Sequence, residues 1–77
     1  MSVDLRRANG SELWRLGKGP RVAVCRRFRH PLGLELRLDV NGDTLGTRIE
    51  PTLEAAGVQS AFLRQTMLAT GWTSVAE

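Results

Sequence analysis

Four side chains that could bind calcium through oxygen lie near one another in the middle of the sequence. Asp39, Asn41 and Asp43, with Glu50 further on, fall at the first, third, fifth and twelfth positions of a calcium-binding loop. The same stretch contains Asn41-Gly42, which is the strongest short-range signal for a tight hairpin turn. The segment therefore predicts either a metal site or a turn between two strands, and the choice depends on the flanking residues.

The flanking residues favour the hairpin. A calcium loop needs glycine at its sixth position, and this sequence has Thr44 there. The loop also needs a preceding helix. Instead, an alternation of apolar and polar residues typical of a half-buried strand precedes it, with the apolar positions at Leu34, Leu36, Leu38 and Val40. We therefore expect a hairpin, no metal site and no cofactor.

Other residues with catalytic potential are few. Cys25 and His30 are the only cysteine and histidine, and a spacing of five on one strand directs them to opposite faces. Lys18 lies in a turn, but Gly19 follows it where a phosphate-binding loop has serine or threonine. Because no nucleophile–base pair or carboxylate pair shares a face, we expect a protein that is not an enzyme.

The composition is typical of one small folded domain. The chain has 77 residues, of which 42% are hydrophobic and 25% charged. A single cysteine allows no internal disulfide, and the first residues lack the apolar run of a signal peptide, so we expect a cytoplasmic protein. No segment approaches the ~20 apolar residues needed to cross a membrane, and we expect no membrane partner.

Turn signals divide most of the chain into strands, and a helical pattern follows. Turn residues at 17–20, 30–33 and 41–42 separate β-rich segments that we expect to pair as a three- or four-stranded antiparallel meander. The sequence predicts an α+β fold in which one C-terminal helix packs on one face of this sheet. Whether residues 12–16 pair as the fourth strand stays open.

The chain divides into three parts on the same grounds. We expect a flexible leader at 1–11, a single β-meander plus helix domain at 12–72, and a tail at 73–77.

The helix should begin near Pro51 and end at Gly71. Gly57 weakens its middle, and a break there stays open. One stripe of the helix carries most of the apolar residues and is expected to face the sheet. Its members are Leu53, Val58, Ala61, Phe62, Gln65, Leu68 and Trp72.

Matching of apolar and charged positions predicts the strand registers. A two-residue loop at 41–42 sets Leu38 opposite Leu45. A longer loop at 30–33, with Gly33 in a bulge, sets Phe28 opposite Leu36. Arg26 is the misfit of this register, since it falls on the apolar face opposite Leu38.

The predicted registers collect arginine on the sheet face that points away from the helix. Ten of the eleven basic residues are arginine, whose planar guanidinium suits phosphate and carboxylate. Small residues at Ala23, Cys25 and Gly46 would leave this face flat. We expect the face to bind nucleic acid or an acidic protein partner. Its basic residues are Arg15, Arg21, Arg27, Arg29, Arg37 and Arg48.

Two kinds of partner fit this face. A flat, arginine-rich antiparallel sheet backed by a helix is a geometry that DNA readers insert into the major groove. The alternative is a protein-interaction module, such as a phage- or plasmid-type inhibitor or adaptor. Such a module would use the arginines, or the predicted edge strand at 12–16, through which a homodimer could also form.

The segments "ELWRL", "HPLGLELRLDVNGD" and the final "GW" resemble a group of short bacterial proteins of unknown function. In that group an "ELWR" start, an "HP-G-ELR" hairpin and a closing "GW" occur in this order. The resemblance spans 12–72 and implies no activity. The segment "EPTLEAAGVQ" departs from the pattern of the group.

Overall fold

A computed structural model describes residues 10–75 and contains one five-stranded antiparallel sheet and one helix. The elements are β1 (Ser11–Lys18), β2 (Arg21–His30), β3 (Gly33–Val40), β4 (Asp43–Glu50), α1 (Leu53–Ala69) and β5 (Thr73–Ser74). The sheet order is β4-β3-β2-β1-β5. The predicted α+β meander with a C-terminal helix is confirmed, and no helix within residues 10–75 is long and apolar enough to cross a membrane.

The ends of the domain differ from the sequence-based expectation. β5 lies in the predicted tail and pairs with β1 at Leu16 and Gly17. The predicted edge strand, β1, is therefore an internal strand at these positions, between β2 and β5. Residues 1–9 of the predicted leader lie outside the described part of the chain.

The β3–β4 hairpin forms around Asn41-Gly42 as predicted. Both turn residues have positive φ, 53° and 86°, as a tight hairpin turn with matching twist requires. Beyond the turn, Leu45 is an extra residue in β4, so Leu38 lies opposite Gly46 rather than Leu45. The pairings predicted beyond this bulge are wrong by one residue.

The β2–β3 register is also one residue from the prediction. His30 pairs directly with Gly33, so the loop has two residues rather than three, and Phe28 lies opposite Glu35 rather than Leu36. A one-residue shift exchanges the two faces of a strand. Arg26, the misfit of the predicted register, consequently leaves the helix side. It lies opposite Arg37 on the sheet face that points away from the helix, called the open face below.

The observed register places small side chains of the sheet beneath the helix. Ala23 and Cys25 are fully buried, and Cys25 packs with Leu36 and with Ala56 of α1. Leu36 faces the helix as predicted. The prediction that Ala23 and Cys25 flatten the open face is wrong, because their small volume instead allows the helix backbone to approach the sheet.

Helix α1 is continuous through Gly57, but it faces the sheet with a different stripe from the one predicted. Its buried residues are Ala56 and Ser60, one helical turn apart, whereas Val58 and Phe62 are 61% and 68% exposed. The indole N–H of Trp14 donates to the carbonyl oxygen of Ser60 at 3.1 Å, which ties β1 to this small-residue stripe. The predicted apolar stripe is wrong because close packing on Cys25 selects small side chains over large ones.

The ends of α1 are defined by local signals. Thr52 is the N-cap, and its hydroxyl accepts from the backbone N–H of Ala55 at 3.0 Å, so Pro51 precedes the helix instead of lying in its first turn. Gly71, with a φ of 101°, follows the helix as predicted.

A pair of matched substitutions tests which stripe faces the sheet. Ala56→Leu inserts a branched side chain into a fully buried contact and should lower the free energy of unfolding by about 1–3 kcal/mol. Ala61→Leu makes the same change on the exposed side and should alter it by about 0.5 kcal/mol or less. Chemical denaturation measures both, and a larger loss for Ala61→Leu would contradict the observed packing.

Candidate anion-binding site

The six predicted binding arginines do not share one face of the sheet. Directly opposite residues share a face and successive residues alternate, so the faces follow from the register. Arg15 lies opposite Val24, and Arg37 lies opposite Arg26, on the open face. The other four lie on the helix side: Arg21, Arg27, Arg29 and Arg48. The prediction of a single arginine-rich face is therefore wrong. The error comes from the one-residue shift at 30–33 and from the bulge at Leu45.

The arginines of the open face are matched by acids. Arg26 donates to Asp39 at 3.0 Å, and the half-buried Arg37 lies 3.5 Å from the carboxylate of Glu35. The guanidinium of Arg37 also stacks on the ring of Phe28, 4.3 Å from its centroid. These contacts place the like-charged neighbours Arg26 and Arg37 beside two carboxylates.

Arg15 on the open face is matched in the same way. Its guanidinium forms two hydrogen bonds with the carboxylate of Glu12, at 2.8 and 3.0 Å. The hydrogen bond from Arg15 holds the pKa of Glu12 below its ordinary value. Glu12 also lies opposite Arg26 across the β1–β2 pair.

On the helix side, one of the four arginines has an acidic partner. Arg48 donates through Nε to the carboxylate of Glu50, which is itself 7% exposed. Within residues 10–75, no carboxylate lies within ion-pairing distance of Arg21, Arg27 or Arg29. None of these three guanidinium groups is matched by an acid in the described part of the chain, so they are the candidates for binding an external anion.

Arg27 and Arg29 lie together at the end of β2 nearest the start of α1. Two positions along one strand separate them by about 7 Å on the same side. They line an open recess of about 390 Å³, together with Ser11, Leu34 and Leu53. The recess combines two guanidinium groups, one hydroxyl and apolar walls, which is chemistry suited to an oxyanion such as phosphate.

Arg21 lies at the other end of the same strand face. It pairs with Lys18 across the β1–β2 turn, and the Lys18 ammonium donates to the carbonyl of Thr70, just past α1, at 2.8 Å. The helix covers the strand between this end and Arg27. Arg21 and Arg29 are therefore about 26 Å apart along β2.

Two side chains of the suspected calcium loop hydrogen-bond within the sheet. Asn41 accepts from the backbone N–H of Val22 at 3.0 Å. Asp39 accepts from Arg26 and from the hydroxyl of Thr44 at 2.7 Å. Within residues 10–75, no three His, Cys, Asp or Glu side chains are grouped as metal ligands.

Cys25 and His30 lie on opposite faces of β2, as their spacing predicted. The imidazole Nδ1 accepts from the backbone N–H of Leu32 in the neighbouring turn, at 3.0 Å. Burial raises the pKa of the Cys25 thiol from 9.0 to about 11, and the nearby Asp39 carboxylate adds to the rise. The thiol is therefore protonated and covered at neutral pH, the opposite of an activated nucleophile.

The raised pKa of Cys25 predicts a loss of stability at high pH. Folding keeps the proton on the thiol, so its contribution is complete below about pH 9 and is lost as pH rises towards 11. The loss should reach up to about 2–3 kcal/mol in denaturation experiments between pH 8 and 11. Cys25→Ala carries no ionisable group there and should show a flatter profile; parallel profiles would contradict the prediction.

No family model, curated protein or solved structure matches this chain. The resemblance to short bacterial proteins stays a prediction, and the site must be interpreted from its own chemistry.

Proposed function

We propose that this protein is a small non-enzymatic module that binds the phosphate backbone of nucleic acid through Arg27 and Arg29, with Arg21 as a second contact. One observation carries the proposal. Of the six arginines predicted to bind, these are the three that lack an acidic partner among residues 10–75, and all three lie on the same side of β2. Arg64 of α1, which has no acidic partner there either, donates instead to the hydroxyl of Ser74 at 2.9 Å.

The paired arginines are poor candidates for the same role. Binding a phosphate through Arg26 or Arg37 would require Asp39 or Glu35 to lose its ion pair beside the incoming anion. Arg37 would also leave the ring of Phe28. The corrected site is therefore smaller than the predicted one and lies at the ends of the helix side rather than across the open face.

The spacing of the unpaired arginines favours an extended polyanion over one compact acidic patch. Arg21 and Arg29 are about 26 Å apart along β2, with α1 between them. A stacked strand, as in a duplex, advances about 3.4 Å per nucleotide, so roughly eight stacked nucleotides would span this distance. A flexible single strand can follow the surface around the helix, and we propose it as the preferred ligand. Phosphate contacts of this kind bind without reading sequence.

Fluorescence anisotropy with labelled single-stranded DNA and RNA tests the proposal. Three phosphate contacts limit the slope of log affinity against log salt to about −2. Arg27→Ser with Arg29→Ser should weaken binding and reduce this slope by about one unit or more, because two contacts are lost.

A charge-matched control distinguishes binding at the Arg27–Arg29 recess from general electrostatic attraction to a basic protein. Arg15→Ser with Arg64→Ser removes the same charge from arginines outside the recess and should weaken binding less, with circular dichroism confirming that both variants fold. Undetectable binding at low salt would overturn the proposal. Saturable binding to one acidic protein, with no affinity for random DNA, would favour the inhibitor or adaptor alternative instead.

A further inference from the structure

Strand β4 forms an open edge of the sheet. It pairs with β3 on one side, and within residues 10–75 no strand pairs with its other side. Seven of its eight residues are exposed, and Glu50 is the exception. Strand edges are usually protected by lysine, proline or a covering element, and β4 contains no lysine or proline. Besides the bulge at Leu45, its charged residues are Asp43 next to the turn and the Arg48–Glu50 pair at the other end. Residues 45–47 between them carry no charge.

An apolar groove runs beside the centre of this edge. It has a volume of about 440 Å³ and separates α1 from β3 and β4. Leu38, Leu63 and Phe62 supply its apolar walls, and Gly46 and Arg48 form its β4 side. Phe62 is 68% exposed at this position. A large aromatic side chain beside an open strand edge is typical of a protein interface rather than of a solvated surface.

We propose that a second copy of this chain pairs with β4, so that two sheets join into one antiparallel sheet around a two-fold axis. Such an axis perpendicular to the sheet would keep both helices on the same side. The groove of each copy would then face the groove of the other copy, with the two Phe62 side chains near the axis. This inference stands independently of nucleic-acid binding.

The sequence of β4 is complementary to itself in one register. Pairing about Thr47 sets Leu45 of one copy opposite Ile49 of the other, which joins two side chains that are 66% and 40% exposed in the single chain. The same register sets Arg48 opposite Gly46, where no atom within 4 Å would meet an added Cβ. Each guanidinium therefore gains space above the neighbouring backbone, and no like charges face one another.

The neighbouring registers lack this complementarity. A two-fold axis that keeps both helices on one side is perpendicular to the sheet. It therefore passes between one residue of β4 and the same residue of the other copy, which lie directly opposite each other. Pairing about Arg48 would place that arginine directly opposite its own copy, which is unfavourable. Pairing about Gly46 would set Ile49 opposite Asp43 and leave the apolar residues unmatched. The geometry thus points to Thr47 as the residue on the axis.

The mass of the full chain in solution tests the association. Light scattering after size exclusion should give about 17 kDa, twice the 8.5 kDa of one chain. Phe62→Lys and Ile49→Lys place charge within the proposed interface and should raise the dissociation constant by at least about tenfold. Leu32→Lys alters a side chain that is 74% exposed in the β2–β3 turn and should leave the mass unchanged.

A cysteine on the proposed axis tests the register. Directly opposite residues of antiparallel strands lie about 4.5–5.5 Å apart, which is within the range for a disulfide. With diamide as oxidant, Thr47→Cys should form a dimer on a non-reducing gel, in which two thiols are oxidised and the oxidant takes up both protons and both electrons. Asp43→Cys should react far more slowly. A monomer at every concentration tested, or equal cross-linking of both variants, would overturn the inference.

Discussion

The close approach of the helix to small residues of the sheet is the contact on which the rest of the structure depends. Ala56 of α1 packs against Cys25, and Ser60 is buried one helical turn later. The indole N–H of Trp14 donates to the carbonyl oxygen of Ser60. This contact fixes which face of β2 is covered. Once Cys25 is beneath the helix, alternation directs Arg27 and Arg29 to the helix side and Arg26 to the open face, where Asp39 receives it.

The topology could be predicted from the sequence, whereas the register could not. Alternation in β3 and the Asn41-Gly42 turn are local signals, and they led to the correct hairpin and fold class. The loop before Gly33 and the bulge at Leu45 each involve a single residue, and turn chemistry permits more than one loop length. A shift of one residue reverses every side chain of a strand. In the sequence, the error in register was indicated by Arg26, which the predicted pairing placed on an apolar face.

The predicted helix stripe was wrong for a related physical reason. Hydrophobic periodicity ranks positions by apolar character, so it selected Val58 and Phe62 over Ala56 and Ser60. Close packing of the helix on the sheet instead favours small side chains, because they allow the two backbones to approach and more atoms to be in contact. Phe62, one of the large residues that this packing leaves exposed, lies beside β4 and contributes to the inferred interface. The same physics thus shaped both the core and the candidate interface.

The proposed function rests on charge pairing, because a guanidinium already paired with a carboxylate has less to gain from a phosphate. The most direct test is an amide and guanidinium NMR titration with a short single-stranded oligonucleotide at low salt. The account predicts that signals of Arg21, Arg27 and Arg29 move while those of Arg26 and Arg37 stay in place. Movement confined to the open face, or no movement at all, would contradict it.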